Sequence, residues 1–202
     1  MVTVFPLADS LLSIIERLER VLKKEEEVAE QLRSRYLNPG CERLREAIEG
    51  AGFSFLDVHR TPFDCTYKFY DPEVEKRIAE AYKPFPVGFH MIHTASLTIG
   101  LERIGEAVRG FLIVSLHFVI GAFNRAPEVP DIPEIFKRLG FSVKTVRSVA
   151  ISGFPALHTV DLYISGELSP EVLDAEFDRL LRTIAGFIGM MKEKVREEMG
   201  LV

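Results

Sequence analysis

The sequence predicts an α+β fold: a mainly antiparallel sheet of about six strands in three hairpins, with a long helix at each end. Three observations carry that expectation. A helix–strand–strand–helix pattern occurs twice. Gly52-Phe53-Ser54-Phe55 follows a short amphipathic segment at 44–48, and Gly140-Phe141-Ser142-Val143 follows another at 135–139. Each leads through a second alternating run to Pro-Glu-Val, at 72–74 and 170–172. A repeated unit points to architecture before any single residue does. Strand-like runs come in sequential pairs with short connections, which antiparallel hairpins satisfy most simply. Apolar residues at both ends recur with the period of a helix.

Taken in order, the first element is a helix over residues 8–36. Leu11, Ile14, Ile15, Leu18, Val21, Leu22, Val28 and Leu32 share one face of it, and Asn38-Pro39-Gly40 is the expected stop. The stripe approaches a heptad pattern, but Glu25 falls where a core residue belongs, which weakens a continuous coiled coil. A short helix at 42–49 leads into strands at 53–59 and 65–70. Asp71-Pro72-Glu73 opens a further helix, because proline suits a first turn.

Long apolar strands follow at 90–101 and 109–123, joined by a hairpin connection at 102–107. Gly100, Gly105 and Gly110 read as turn and bulge glycines there. Three prolines at 126–133 mark a loop, then come a short helix and strands at 142–151 and 157–165. The final helix runs from Ser169-Pro170-Glu171 to about residue 199. Gly186 and Gly189 lie within it, and glycine costs about 1 kcal/mol in a helix interior relative to alanine. Close approach of another backbone, with the first long helix or a symmetry mate as partner, is the expected reason. Strands two to five with their two helices give the order β-α-β-β-α-β, which suggests a ferredoxin-like core. The expected organisation is one domain over 1–202. Residues 1–37 form a long helix suited to oligomerisation, and 40–202 hold the repeat-containing core.

Composition narrows the function classes. The 202 residues carry 47% hydrophobic side chains and a net charge of −5. That excludes a disordered chain and offers no basic stripe for nucleic acid. No apolar run is long enough to span a bilayer, and no signal peptide is evident at the N-terminus. A soluble, cytoplasmic protein is expected. Asn occurs only at 38 and 124, Gln only at 31 and Trp nowhere, while charged residues make up 27%. Scarce amides beside abundant charge suggest a thermophile. The two cysteines, Cys41 and Cys65, read as separate small hydrophobes, since nothing suggests an extracellular disulfide framework.

Few residues point to chemistry. There is no phosphate-binding loop, dinucleotide fingerprint, nucleophile elbow or HExxH. No metal or cofactor is expected: His90 and His93 lie three apart on a strand-like run, so they face opposite sides, and no third ligand is spaced to join them. The five histidines, His59, His90, His93, His117 and His158, all fall in the sheet region. Of these, His59, His90 and His117, with Tyr67 from an aromatic cluster, are candidate ligand-binding residues. Asp57, Asp64 and Asp161 are further acids on or near strands.

His93-Thr94-Ala95-Ser96-Leu97-Thr98-Ile99 matches His158-Thr159-Val160-Asp161-Leu162-Tyr163-Ile164 as His-Thr-x-x-Leu-x-Ile. This resembles the paired motifs of the two-histidine phosphoesterases, in which one imidazole acts as base and the other as acid. The resemblance makes His93 and His158 candidate catalytic residues. Each motif departs from that family at plus two, where Ala95 and Val160 replace a hydroxyl. By parity each histidine shares its face with aliphatic side chains, so a structural role on the core face is expected.

Three functions follow as expectations. The first is a non-catalytic binding or regulatory domain with a cleft for a small ligand. The second is an assembly protein associating through its long helices, as a dimer or larger. The third is a phosphoesterase-like enzyme.

Overall fold

In the computed structural model, residues 6–81, 91–105, 107–121, 141–150, 157–167, 170–198 and 200–201 are described. The fold is α+β, with a six-stranded sheet in which every neighbouring pair is antiparallel. The strands are β1 (Ser54–Arg60), β2 (Asp64–Tyr70), β3 (His93–Ile104), β4 (Ala107–Gly121), β5 (Ser142–Ala150) and β6 (Leu157–Glu167). The helices are α1 (Pro6–Leu32), α2 (Asn38–Gly50), α3 (Pro72–Ala81) and α4 (Pro170–Glu198).

The order across the sheet is β1-β2-β3-β4-β6-β5. The expected ferredoxin-like grouping of β2 to β5 is not this order. In a split β-α-β unit the strands flanking the helix are parallel and separated, whereas β2 and β3 are adjacent and antiparallel, with Phe69 opposite His93. The hairpins β1–β2 and β5–β6 flank the central β3–β4 hairpin, and β1 and β5 are the two edges.

Alternation fixes the two faces of the sheet. Cys65, Tyr67 and Phe69, then Ala95, Leu97 and Ile99, then Leu112, Val114, Leu116 and Phe118, then Val160, Leu162 and Ile164, are buried on one face. The helices lie against it: α2 packs on β2, β3 and α4, while α4 also packs on β4. Phe177, Leu180, Ile184, Phe187, Ile188 and Met191 are the α4 residues of this core.

The Asn38-Pro39-Gly40 cluster does not end the first helix. A π-helical segment, Arg33–Leu37, joins α1 to α2, and the Asn38 N–H donates to the Arg33 carbonyl, five residues back. Proline lacks an N–H and crowds the turn before it, and the widened turn accommodates it within a continuous helical path. Gly40 is there for close packing: a Cβ would stand 2.5 Å from Leu97 Cδ2.

The expected contact between the long helices is refined: α4 packs chiefly on α2, and the helix expected over 8–36 meets it at its end, where the Tyr36 ring lies 5.2 Å from that of Phe177. At Gly186 and Gly189 no atom of the described residues beyond the helix's own turns lies within 4 Å of where a Cβ would be. The strand glycines also differ from expectation. Gly105, with φ of +62°, is at the β3–β4 turn, but the sheet's register shifts fall at Phe55/Asp57 and Val119/Gly121 instead.

The two cysteines are bonded. Cys41 of α2 and Cys65 of β2 form a disulfide, which overturns their reading as separate hydrophobes. Both are fully buried. The Tyr67 hydroxyl donates to the Cys41 carbonyl at 2.9 Å and reinforces the same helix–sheet contact.

A cluster of charges fastens the far end of α4. Lys192 Nζ donates to the Ala51 carbonyl at 2.6 Å, lies 5.1 Å from the Phe53 ring centre and stands 3.7 Å from Asp71 Oδ2. Arg196 pairs with Glu73. Asp71, only 2% exposed, also caps α3 by accepting the Glu73 N–H at 2.9 Å. Gly52, with φ of +79°, turns the chain beneath the lysine head.

Candidate functional site

The opposite face of the sheet carries polar side chains, as an antiparallel sheet with one solvated side allows. Register sets them in rows. One row runs Asp57, Lys68, Thr94, His117, Asp161 from β1 through β2, β3 and β4 to β6. The next runs His59, Thr66, Ser96, Ser115, Tyr163, Lys144. Directly opposed side chains on neighbouring strands have Cβ atoms about 4.5–5.5 Å apart, close enough to act together.

The centre of this field is a pair. His117 Nδ1 and Asp161 Oδ1 are 2.6 Å apart, with side chains 36% and 19% exposed. A carboxylate accepting from Nδ1–H fixes the neutral tautomer and leaves Nε2 as an acceptor. The pair is flanked by the hydroxyls of Thr94 across the strand and Ser115 two residues back. At the edge, Lys68 Nζ lies 3.3 Å from Asp57 Oδ2. Such a surface can hydrogen-bond a polar ligand in both directions.

The other histidines whose side chains are described, His93 and His59, lie apart from this pair. His93 lies on the helix-covered face, as its parity predicts, and is completely buried. Its ring is surrounded by Phe53, Phe69 and Phe118, with centroids 5.4, 5.5 and 5.3 Å away. The β3–β4 register begins at Thr94 opposite His117, and just beyond it the Val119 N–H donates to His93 Nδ1 at 3.2 Å. The side chain stands in for a strand partner, and the proton of the neutral ring is then on Nε2, which has no hydrogen-bond partner among the described residues. Burial in this apolar cage, with a smaller contribution from His117, pushes its pKa down to about 3.

His158 stands opposite Gly121 and Val149 in the register, and its side chain lies outside the described residues. His90 also lies outside them. His59 is exposed on the edge strand β1, three strands away from His117. Tyr67 is buried on the covered face, its hydroxyl committed to Cys41, and burial raises its pKa. The structure therefore separates the candidates: His59 and His117 share the open face, and His93 and Tyr67 the core. Asp161 was legible as an acid, but its bond to His117, 44 residues away, has no local signal.

A second surface is apolar. Along α1, Leu11, Leu12, Ile14, Ile15, Leu18 and Leu22 are each 49–58% exposed. Farther along, Ala29 and Leu32 are buried against the protein's own sheet. Glu25, the break in the stripe, marks the change. Its carboxylate accepts from Arg103 Nε at 2.8 Å, near the tip of the β3–β4 hairpin, and this guanidinium holds the carboxyl below its usual pKa. An acid that interrupts a heptad is thus the residue by which the helix grips its hairpin.

A groove of about 280 Å³ lies between α2 and α4, lined by Arg43, Glu46, Asp178 and Arg182 over Ala47, Leu181 and Ala185. Two basic and two acidic groups balance there, so the lining favours neither sign of ligand charge. It lies between helices, whereas the expected cleft was between helices and sheet. Among the described residues no helix is long and apolar enough to cross a membrane.

No protein family matches the chain, and neither a curated protein nor a solved structure is significantly similar to it.

Proposed function

We propose that this protein is an assembly module, held to other copies by its N-terminal helix. One observation carries the reading: six large aliphatic side chains on α1 remain about half exposed. Isolated apolar residues on a surface are ordinary, but a contiguous apolar patch marks an interaction site. Helices draw most of their stability from packing an apolar face, and the first four turns of α1 gain that packing from a partner. The polar composition of the open sheet face leaves it free to work in such an assembly.

The test is sedimentation equilibrium of the wild type and of an Ile15→Glu, Leu18→Glu double variant. The wild type should form a dimer or larger assembly at micromolar concentration. The variant should fold normally, because both positions are exposed within one chain. Each lost burial is worth about 1 kcal/mol, and two sites on two copies give a roughly 10³-fold weaker association. A wild type that stays monomeric up to hundreds of micromolar, or a variant that associates unchanged, rejects the proposal.

A second reading has its own observation, the His117–Asp161 pair among Thr94, Ser96 and Ser115. It supports binding of a small polar ligand on the open face. Titration with glycerol, inorganic phosphate and acetate, followed by the His117 imidazole NMR signals, should give a saturable shift that His117→Ala abolishes. Unmoved signals at tens of millimolar of every probe would remove this reading. Against a pair of catalytic imidazoles stands the full burial of His93.

The Cys41–Cys65 bond also supports a habitat. Intracellular disulfides are rare except in hyperthermophiles, and scarce Asn and Gln fit the same origin. A cytoplasmic protein of a hyperthermophile reconciles both features.

A further inference from the structure

We infer that the occupant of the exposed α1 stripe is α1 of a second copy, running antiparallel about a two-fold axis. This rests on the assembly reading above and adds the partner and its direction.

The first argument is steric. From Glu25 onward the continuation of the stripe is already taken by the chain's own β3–β4 hairpin. Glu25 is bonded to Arg103, Ala29 and Leu32 are buried, and a Cβ on Gly110 would strike Leu32. The helical path continues to Gly50 along that sheet. A parallel, in-register partner lying on Leu11 to Leu22 would continue in the same direction into the hairpin. Each hairpin would also claim the space of the other helix. An antiparallel partner leaves in the opposite direction, beyond the N-terminus of α1, and the two sheets stand at opposite ends.

The second argument is the spacing. Leu11, Ile15, Leu18 and Leu22 are separated by four, three and four residues. That series reads the same in both directions. Reversing one copy sets Leu11 opposite Leu22 and Ile15 opposite Leu18, so each of these four side chains meets another of them. A two-fold contact requires this self-complementarity: where one residue meets a second, the second meets the first.

The decisive experiment is a spin-label distance in the intact protein. Glu26 is exposed and lies one turn beyond Leu22, the last exposed apolar residue of the stripe; a nitroxide on Glu26→Cys leaves the apolar residues and the native disulfide in place. In the antiparallel pair the two labels are offset by nineteen residues along the axis, about 30 Å at 1.5 Å per residue. In a parallel pair they lie side by side, about one helix diameter of 10–12 Å apart. A distance near 30 Å that vanishes in the Ile15→Glu, Leu18→Glu variant supports the inference. A short distance in a sedimenting dimer overturns the antiparallel arrangement and leaves the assembly reading standing. No dipolar coupling in a protein that sediments as a monomer overturns both. A dimer whose distance is unchanged in the double variant places the contact elsewhere and also overturns both.

Discussion

Replacing Cys41 and Cys65 together by alanine should lower the unfolding free energy by about 3–4 kcal/mol. The bond closes a stretch with a sequence separation of 24, and chain-entropy arguments give that magnitude for a loop of this length. It joins the helix layer to the sheet at a point where both residues are fully buried. Alanine at both sites leaves no unpaired thiol to confuse the result. Urea unfolding should show the double variant with a lowered midpoint, and the wild type in strong reductant should move to nearly the same value. Coincident midpoints for the variant and the oxidised wild type would show that the bond contributes nothing.

Acid should destabilise the protein through His93. The folded pKa of about 3 lies below the ordinary 6.5, so between those values the unfolded chain binds the proton and the folded one does not. Stability from this group is fully present above pH 6.5 and is lost as pH falls through the window toward 3. The slope is about 1.4 kcal/mol per pH unit, or about 3 kcal/mol between pH 6.5 and pH 4. His93→Phe retains a ring among Phe53, Phe69 and Phe118 but cannot titrate. It also deprives the Val119 N–H of its acceptor, which lowers stability by about 1–3 kcal/mol at neutral pH. The measurement is urea unfolding of both proteins from pH 7 to pH 4. The difference between them should narrow and reverse as pH falls, and parallel curves would show that His93 is not the titrating group.

Local pattern made the elements legible. Alternation at Ala95, Leu97 and Ile99 and the period of Leu11, Ile15, Leu18 and Leu22 are properties of a few consecutive turns or residues, and they located strands and helices. The same parity placed His93 on the core face. What depends on distant partners was hidden. Nothing near Cys41 shows that α2 will lie over β2, so the disulfide was missed. The bond between His117 and Asp161 requires β6 to insert between β4 and β5, which no local pattern specifies. Glu25 looked like a flaw in a stripe because its partner, Arg103, is 78 residues away. Gly40 looked like a helix stop because Leu97, the side chain it accommodates, is on a strand formed much later in the sequence. Gly186 and Gly189 are the converse case: two glycines in one turn suggested a close contact, and within one copy the described residues supply none.

The strand order also constrains the sequence of folding. From β1 to β4 each strand pairs with the one made just before it, so the growing sheet can lengthen strand by strand as the chain emerges. The rule then breaks. β5 touches only β6, so it is synthesised before the neighbour it needs exists. It cannot join the sheet alone; it must wait for β6, and the two dock on β4 as a finished hairpin. Until then the free edge of β4 is a template open to any other strand. The interval between completing β4 at Gly121 and completing β6 at Glu167, 46 residues of synthesis, is therefore the stage at which this chain is most exposed to mispairing.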